Sequence, residues 1–406
     1  MPNPDPPPGQ PGTTRTSPPP LRLLLLAPAT SAHTRRWADA LAALGHTVTV
    51  CSWHDPGPDR AATPWRLSSA PAAGAWWPWR VLRATRWLRR EARRTRPDVI
   101  HVHSLGVHGA LSLALPTRTT PLLVTPWGSE LRAADHHPGR ALVARLALHR
   151  AARVLPTSRE VATKVANRYR ITPSRITVLS WGVPDILLDS SEGTDPRQTR
   201  ASFGITADAT VVLSIRSTSQ VYRTQEILNA FAHAAQERPD LHLVLLAGHR
   251  PAQPSPARAQ QHYQATLRSG TAHLADRVTV IDRLLGQDEL FALMRVSEIA
   301  VSVPHADQRS SSVLEAAAAG CRLLLADIPP YRELVADGLH ADLLPDPLPT
   351  TLADALTAAT PLPRAQCLAN RELISRAERA SVQITQLEHL YRDMARLRPG
   401  RLQDQA

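Results

Sequence analysis

Residues 299–327 read IAVSVPHADQRSSSVLEAAAAGCRLLLAD, and they set the architecture. An apolar run at 299–305 gives way to polar residues. An alanine-rich segment then stops at Gly320, and a second apolar run follows at 322–327. Serine is poor inside a helix but good at its first positions, and glycine after the last turn supplies a C-cap. The pattern predicts a helix from near Ser311 or Ser312 to Gly320, placed between two buried parallel strands. Two acids, Asp307 and Glu315, bracket the helix start with seven residues between them. A helix N-terminus with free N–H groups and serine hydroxyls suits a phosphate or diphosphate. Carboxylates there would repel it unless they serve sugar hydroxyls, which donate well to charged acceptors. A structural alternative stands beside this: Ser312-Val313-Leu314-Glu315 also reads as a capping box, which would give Glu315 a purely structural role.

The same alternation runs along the chain. Short apolar runs occur at 22–29, 46–53, 98–104, 121–127, 153–158 and 176–182, with helical patterns such as HTRRWADALAALGH between them. The pattern pauses at VPDILLDSSEGTDPRQTR and resumes at 210–217, 241–248 and 277–284. Repeated strand–helix–strand units predict an α/β protein with two doubly wound, Rossmann-like domains facing across a cleft. The expected boundaries are 21–185 for the first domain, 186–200 for the linker and 201–370 for the second. Residues 371–397 are expected to form one amphipathic helix crossing back to the first domain. Residues 1–20, with proline at almost every third place, are expected to be a disordered tail.

Composition narrows the classes. The 406 residues are 43% hydrophobic without an apolar run long enough to span a bilayer. Three scattered cysteines fit reduced thiols in a cytoplasmic protein. The net charge of +12 comes almost wholly from arginine, Lys164 being the one lysine, and favours anionic partners. The turn after the first strand, PATSAHTRRW, lacks GxGxxG, and no GxxxxGK[ST] exists, which argues against the usual dinucleotide fold and P-loop NTPases. No Asp-x-Asp pair offers a dedicated magnesium site, and His101 with His103 lacks a third ligand for zinc, so no metal is expected. Residues 76–97, WWPWRVLRATRWLRREARRTRP, combine a tryptophan cluster with arginine at nearly every exposed turn. They read either as an interfacial helix on an anionic membrane surface, at the inner membrane face, or as a solvated basic helix.

The segment 306–338 resembles the donor-binding region of the family 4 retaining glycosyltransferases: an acid, seven residues, Glu-Ala, a small helix, Gly, a strand, Glu-Leu-Val and Asp-Gly. Further matches follow in order, among them PDVIHVHSLG, LLVTPWGSEL, ITVLSWGV and LSIRSTSQVYRTQEILNAFAHA, and cover roughly residues 21–395. The resemblance implies the GT-B fold and transfer of a sugar from a UDP- or GDP-linked donor to a small-molecule or lipid-linked acceptor. It implies that Glu315 holds the ribose hydroxyls, Asp307 meets the sugar or diphosphate, the backbone of Ser310, Ser311 and Ser312 faces the sugar and phosphate, and Arg216 neutralises the diphosphate. Arg216, Asp307 and His103 are then the catalytic candidates. His33, His103, Trp127, Gly128, Ser129 and Glu130 would line the acceptor side. Four departures stand out. Asp307 replaces the commoner glutamate, TSAH replaces a glycine-rich loop, and Trp127 stands where histidine is frequent. The lysine usual after Arg216 is missing, leaving Tyr222 or Arg223 as substitutes. The nucleotide-sugar is a co-substrate, and no cofactor is implied. An epimerase or phosphorylase on the same fold would use much the same donor half. A basic nucleic-acid-binding protein ranks lower, because no recognisable module is present.

Overall fold

The computed structural model describes residues 18–54, 63–71, 77–117, 119–189, 195–248 and 272–396. Most of the expected tail lies outside these residues, as does Trp76. The first six strands are β1 (Arg22–Leu26), β2 (Thr47–Ser52), β3 (Arg66–Ser69), β4 (Val99–His103), β5 (Leu122–Thr125) and β6 (Arg153–Val154). They form one all-parallel sheet in the order β3-β2-β1-β4-β5-β6. The other six are β7 (Thr210–Ser217), β8 (Leu241–Leu246), β9 (Val278–Ile281), β10 (Ile299–Ser302), β11 (Arg322–Ala326) and β12 (Asp342–Leu344). Their order is β12-β11-β10-β7-β8-β9, again all parallel. Counted from its own first strand, each sheet runs 3-2-1-4-5-6, the doubly wound order that leaves a ligand crevice where the winding reverses.

Alternate residues of each strand enter different cores. Leu23 and Leu25 join one buried cluster, whereas Leu24 and Leu26 join another on the opposite face. Val212 and Leu213 divide in the same way in the second sheet. Burial on both faces is why these strands read as unbroken apolar runs.

Three expectations need correcting. The run 176–182 is not a strand of the sheet and touches it by a single bridge, Ile176 to Val154. Its neighbour β6 has only two residues, and Pro156 just beyond has no N–H with which to extend a ladder. The edge strands β3 and β12 escape the apolar pattern because they are short and mostly half-exposed. The terminal helix is broken in two, Arg364–Ala377 and Ala380–Arg396. At the break the Val183 N–H donates to the Glu378 carbonyl at 2.7 Å, and the Ala380 N–H donates to the Val183 carbonyl at 2.8 Å. Both passages of the chain between domains therefore lie side by side. Gly182 is needed there: its φ is +79°, and an added Cβ would lie 2.7 Å from the Ala380 Cα. Beyond the break, Leu387, Tyr391 and Met394 pack into the first domain's core. Leu187 and Leu188, inside the expected linker, belong to the second domain's core.

Candidate active site

The carboxyl end of β7 carries an irregularity. Ser214 pairs with Leu245 and Ser217 with Leu246, so Ile215 and Arg216 are extra residues in the ladder. Such a bulge re-aims a side chain. The Arg216 guanidinium donates to Ser310 Oγ at 2.7 Å, to the Tyr222 hydroxyl at 2.9 Å and to Asp307 Oδ1 at 3.3 Å. It also lies over the Tyr222 ring, 4.4 Å from its centre. Burial disfavours its charge, but Asp307 and the neighbouring phenols outweigh that and leave its pKa raised. Asp307 is held from its other side as well: the fully buried Tyr331 hydroxyl donates to Oδ2 at 2.8 Å and shares a 2.8 Å bond with Ser302 Oγ. Burial, then the Asp307 charge, pushes the Tyr331 phenol well above its ordinary value, so it stays protonated and donates.

The helix Ser311–Ala319 begins and ends where its serines and glycine predict, with Ser310 as N-cap and Gly320 left-handed at φ +98°. The Ser310 hydroxyl does not cap the helix; it accepts from Arg216 instead. The register removes the capping-box reading. With Ser310 at the cap, the box position is Val313, and Glu315 lies two residues deeper. Glu315 is buried, and its carboxylate accepts from Arg36 of the first domain at 2.8 Å. Burial raises its pKa, and Arg36 and Arg216 oppose that rise. By helix geometry the first N–H groups, those of Ser311, Ser312 and Val313, have no partner inside the helix. They lie on the same turn as the hydroxyl that holds Arg216.

The two substitutes proposed for the absent lysine part company. Tyr222 sits on Arg216, whereas Arg223 is drawn to Glu226 and to Asp346, the latter at 2.9 Å, and shares no partner with Arg216.

Across the cleft, His33 stacks on Trp181 at 4.6 Å with a 16° tilt. Its Nδ1 is buried without a partner, and burial, then Arg36 and Arg216, lowers its pKa to about 3. His103 does not stand open in the cleft as expected. It is fully buried because Trp37 and Trp181 pack on its ring, at 5.5 and 5.7 Å. His101 beneath it is engaged at both nitrogens, by the Tyr391 hydroxyl at 2.6 Å and Thr125 Oγ1 at 2.7 Å. Trp127 meets Trp181 edge-on at 5.8 Å, with a buried, unpartnered indole N–H. Glu130 is a brace rather than a free acceptor group: Oε1 accepts from the Leu105 N–H at 2.9 Å and the Trp127 N–H at 2.6 Å, and Ser129 donates to Oε2 at 3.3 Å. It thereby ties the loops after β4 and β5 together. Gly128, at φ +80°, lies under Gln308 of the second domain, whose Nε2 would be 2.7 Å from an added Cβ.

Several cross-cleft residues were not singled out by sequence. Besides Arg36, which reaches Glu315, the Gln308 side-chain carbonyl accepts from Thr157 Oγ1. Glu333 accepts from the N–H groups of Arg159 at 3.0 Å and Glu160 at 2.6 Å, at the start of the helix Arg159–Tyr169. Among the described residues, no group of three His, Cys, Asp or Glu side chains comes together as a metal site.

Residues 30–185 match the family model for Glycosyltransferase Family 4, and residues 195–372 match that for Glycosyl transferases group 1. A search of curated proteins finds no match. Solved structures with the same fold include a sucrose-phosphate synthase from Thermosynechococcus elongatus, with 18% identity and a TM-score of 0.72 over 92% of this chain and 98% of that one. HepE from Anabaena, solved with UDP-glucose, gives 16% identity and a TM-score of 0.72 over 92% and 100%. WaaG, a glycosyltransferase involved in lipopolysaccharide biosynthesis, gives 16% and 0.65 over 93% and 100%. With one model matching each domain and the two sheets facing as in GT-B enzymes, this chain belongs to the family 4-like glycosyltransferases.

Proposed function

We propose that the enzyme transfers a sugar, with retention of configuration, from a UDP-sugar to a hydroxyl of an acceptor held by the first domain. The observation that carries this reading is the joint placement of Arg216 and the start of the helix Ser311–Ala319, joined through Ser310. That corner offers a guanidinium, free backbone N–H groups and the positive helix end to one diphosphate. In this reading Glu315, farther into the same helix, takes the ribose hydroxyls. The choice of UDP draws on the HepE structures, which contain UDP. Catalysis in this reading is mostly electrostatic and positional. Arg216 and the helix end stabilise the departing diphosphate, and a leaving oxygen takes the acceptor proton on the face from which it departs. Asp307, fixed by Tyr331 and Arg216, orients the guanidinium beside the transferred sugar.

The exposed face of the helix Trp77–Thr95 supports contact with an anionic membrane surface. It carries Trp79, Leu82, Arg83, Arg86, Arg90 and Arg93. Among the described residues no helix is long and apolar enough to cross a membrane, so the contact would be peripheral.

A thermal-shift screen against UDP- and GDP-sugars tests the donor reading. A ligand bound only to the native state stabilises it by about 2.7 kcal/mol at a hundred times its Kd. A UDP-sugar should raise the melting temperature most, and no response to any member would contradict the proposal. Product analysis then separates transfer from epimerisation or phosphorolysis.

A further inference from the structure

We propose that Arg36 supplies the second cation for the donor diphosphate, leaving Glu315 when the donor ribose arrives. This rests on the donor reading above.

Four charged side chains meet at the cleft in two pairs, Arg216 with Asp307 at 3.3 Å and Arg36 with Glu315 at 2.8 Å. Together they sum to zero. A diphosphate brings further negative charge into a mostly buried corner, where uncompensated charge is costly. Arg216 alone does not offset it, because Asp307 already balances its charge. The other nearby arginines are committed: Arg223 to Glu226 and Asp346, Arg309 to Glu378 and Asp337. Arg36 differs, because its partner is the very carboxylate placed for the ribose. A vicinal diol occupies both oxygens of a carboxylate side by side, which displaces a guanidinium bound at Oε1.

The geometry gives the released side chain somewhere to go. Arg216 sits on Ser310 and Arg36 on Glu315, five residues apart on one helix, or about 7.5 Å along its axis. The free N–H groups of that helix belong to Ser311, Ser312 and Val313, between those two positions in the chain. The Arg36 side chain is 26% exposed and has one carboxylate partner, whereas Arg216 is held by three groups. Both guanidinia bear on Glu315 and on His33, so they act on one shared space. The ion pair with Glu315 thus keeps Arg36 inside the site until the donor enters, and ribose binding hands it to the phosphates.

The test is calorimetric titration of UDP and of uridine into the parent protein, Arg36→Ala and Arg36→Lys, with melting curves alongside. Arg36→Ala should weaken UDP ten-fold or more while leaving uridine unchanged or tighter, since Glu315 is then unblocked. Arg36→Lys should recover most of the UDP affinity. If Arg36→Ala binds UDP as well as the parent or better, Arg36 only plugs Glu315 and the proposal is wrong. Equal weakening of UDP and uridine would overturn it too, as a merely structural effect. A parent that binds neither ligand would remove the donor reading and this inference with it, whereas a parent that binds UDP beside an unaffected variant removes the exchange alone.

Discussion

Tyr331 and Asp307 share a 2.8 Å hydrogen bond in which a fully buried phenol donates to Oδ2, while Arg216 holds Oδ1 of the same carboxylate. Asp307 is therefore gripped from both sides, and it transmits that grip to the guanidinium. Tyr331→Phe would leave Ser302 and Asp307 without this partner at nearly constant volume. A loss of about 1–3 kcal/mol of stability is expected, the range for an unsatisfied buried polar group. Turnover should fall more than donor affinity, read by melting curves and steady-state kinetics. Asp307→Asn should act on the same quantities, impairing turnover and sugar discrimination more than binding of the free nucleoside diphosphate. A Tyr331→Phe enzyme with parental melting and turnover would show that the grip is idle.

The buried histidines predict acid sensitivity. Burial is the main cause lowering His103 and His108 to about 3, and His101 moves the same way. Above the ordinary value near 6.5, neither folded nor unfolded chain binds these protons. Between about 6.5 and 3 only the unfolded chain binds those of His103 and His108, so stability falls as pH falls, by up to about 1.4 kcal/mol per pH unit for each of the two. Glu130 and Glu315, whose pKa values burial raises, act in the opposite direction as they titrate. The loss is thus best measured in the upper part of the window, as a melting temperature that drops between about pH 6.5 and 5.5. His108→Gln should flatten that slope. A melting temperature indifferent to pH there would contradict the buried, neutral assignment.

The membrane proposal turns on Trp79, which is 55% exposed at one end of the arginine-rich helix. Trp79→Ala should reduce co-sedimentation with anionic vesicles several-fold, leave donor binding intact, and have little effect on neutral vesicles. Should the unmodified protein ignore anionic vesicles, the helix is simply a solvated basic surface.

Turnover is expected to proceed without an added divalent metal. The sequence has no Asp-x-Asp pair, and in the proposed reading Arg216, Arg36 and the helix end together carry the diphosphate charge. Activity that disappears in EDTA and returns with magnesium or manganese would refute this.

What could be read from the sequence follows from where the determining forces lie. The central strands were legible because both their faces are buried, and the helix Ser311–Ala319 because serine and glycine mark its ends locally. The break at Glu378 was not, since its cause is Val183, which is distant in sequence and takes up the carbonyl. Arg36 was missed for the same reason: it stands 279 positions from Glu315 and has no local signature. Glu130 had one that went unused, the three-residue step from Trp127 that lets a carboxylate reach back to a backbone N–H. Tyr331 sits in PPYREL, where a tyrosine on the buried face of a helix needs a polar partner for its hydroxyl.

The central claim is that the corner formed by Arg216, the start of the helix Ser311–Ala319 and Glu315 binds a nucleoside diphosphate. Its most direct test is calorimetric titration of UDP into the parent and into Glu315→Gln, supported by melting curves. Glutamine keeps the shape but loses the charged acceptor, so UDP affinity should fall by about 1.5–3 kcal/mol, the scale of hydrogen bonds to charged groups. That is roughly one to two decades in Kd, with a folded variant and an unchanged stoichiometry. A Glu315→Gln protein that binds UDP like the parent would contradict the account, leaving the carboxylate as no more than the anchor of Arg36.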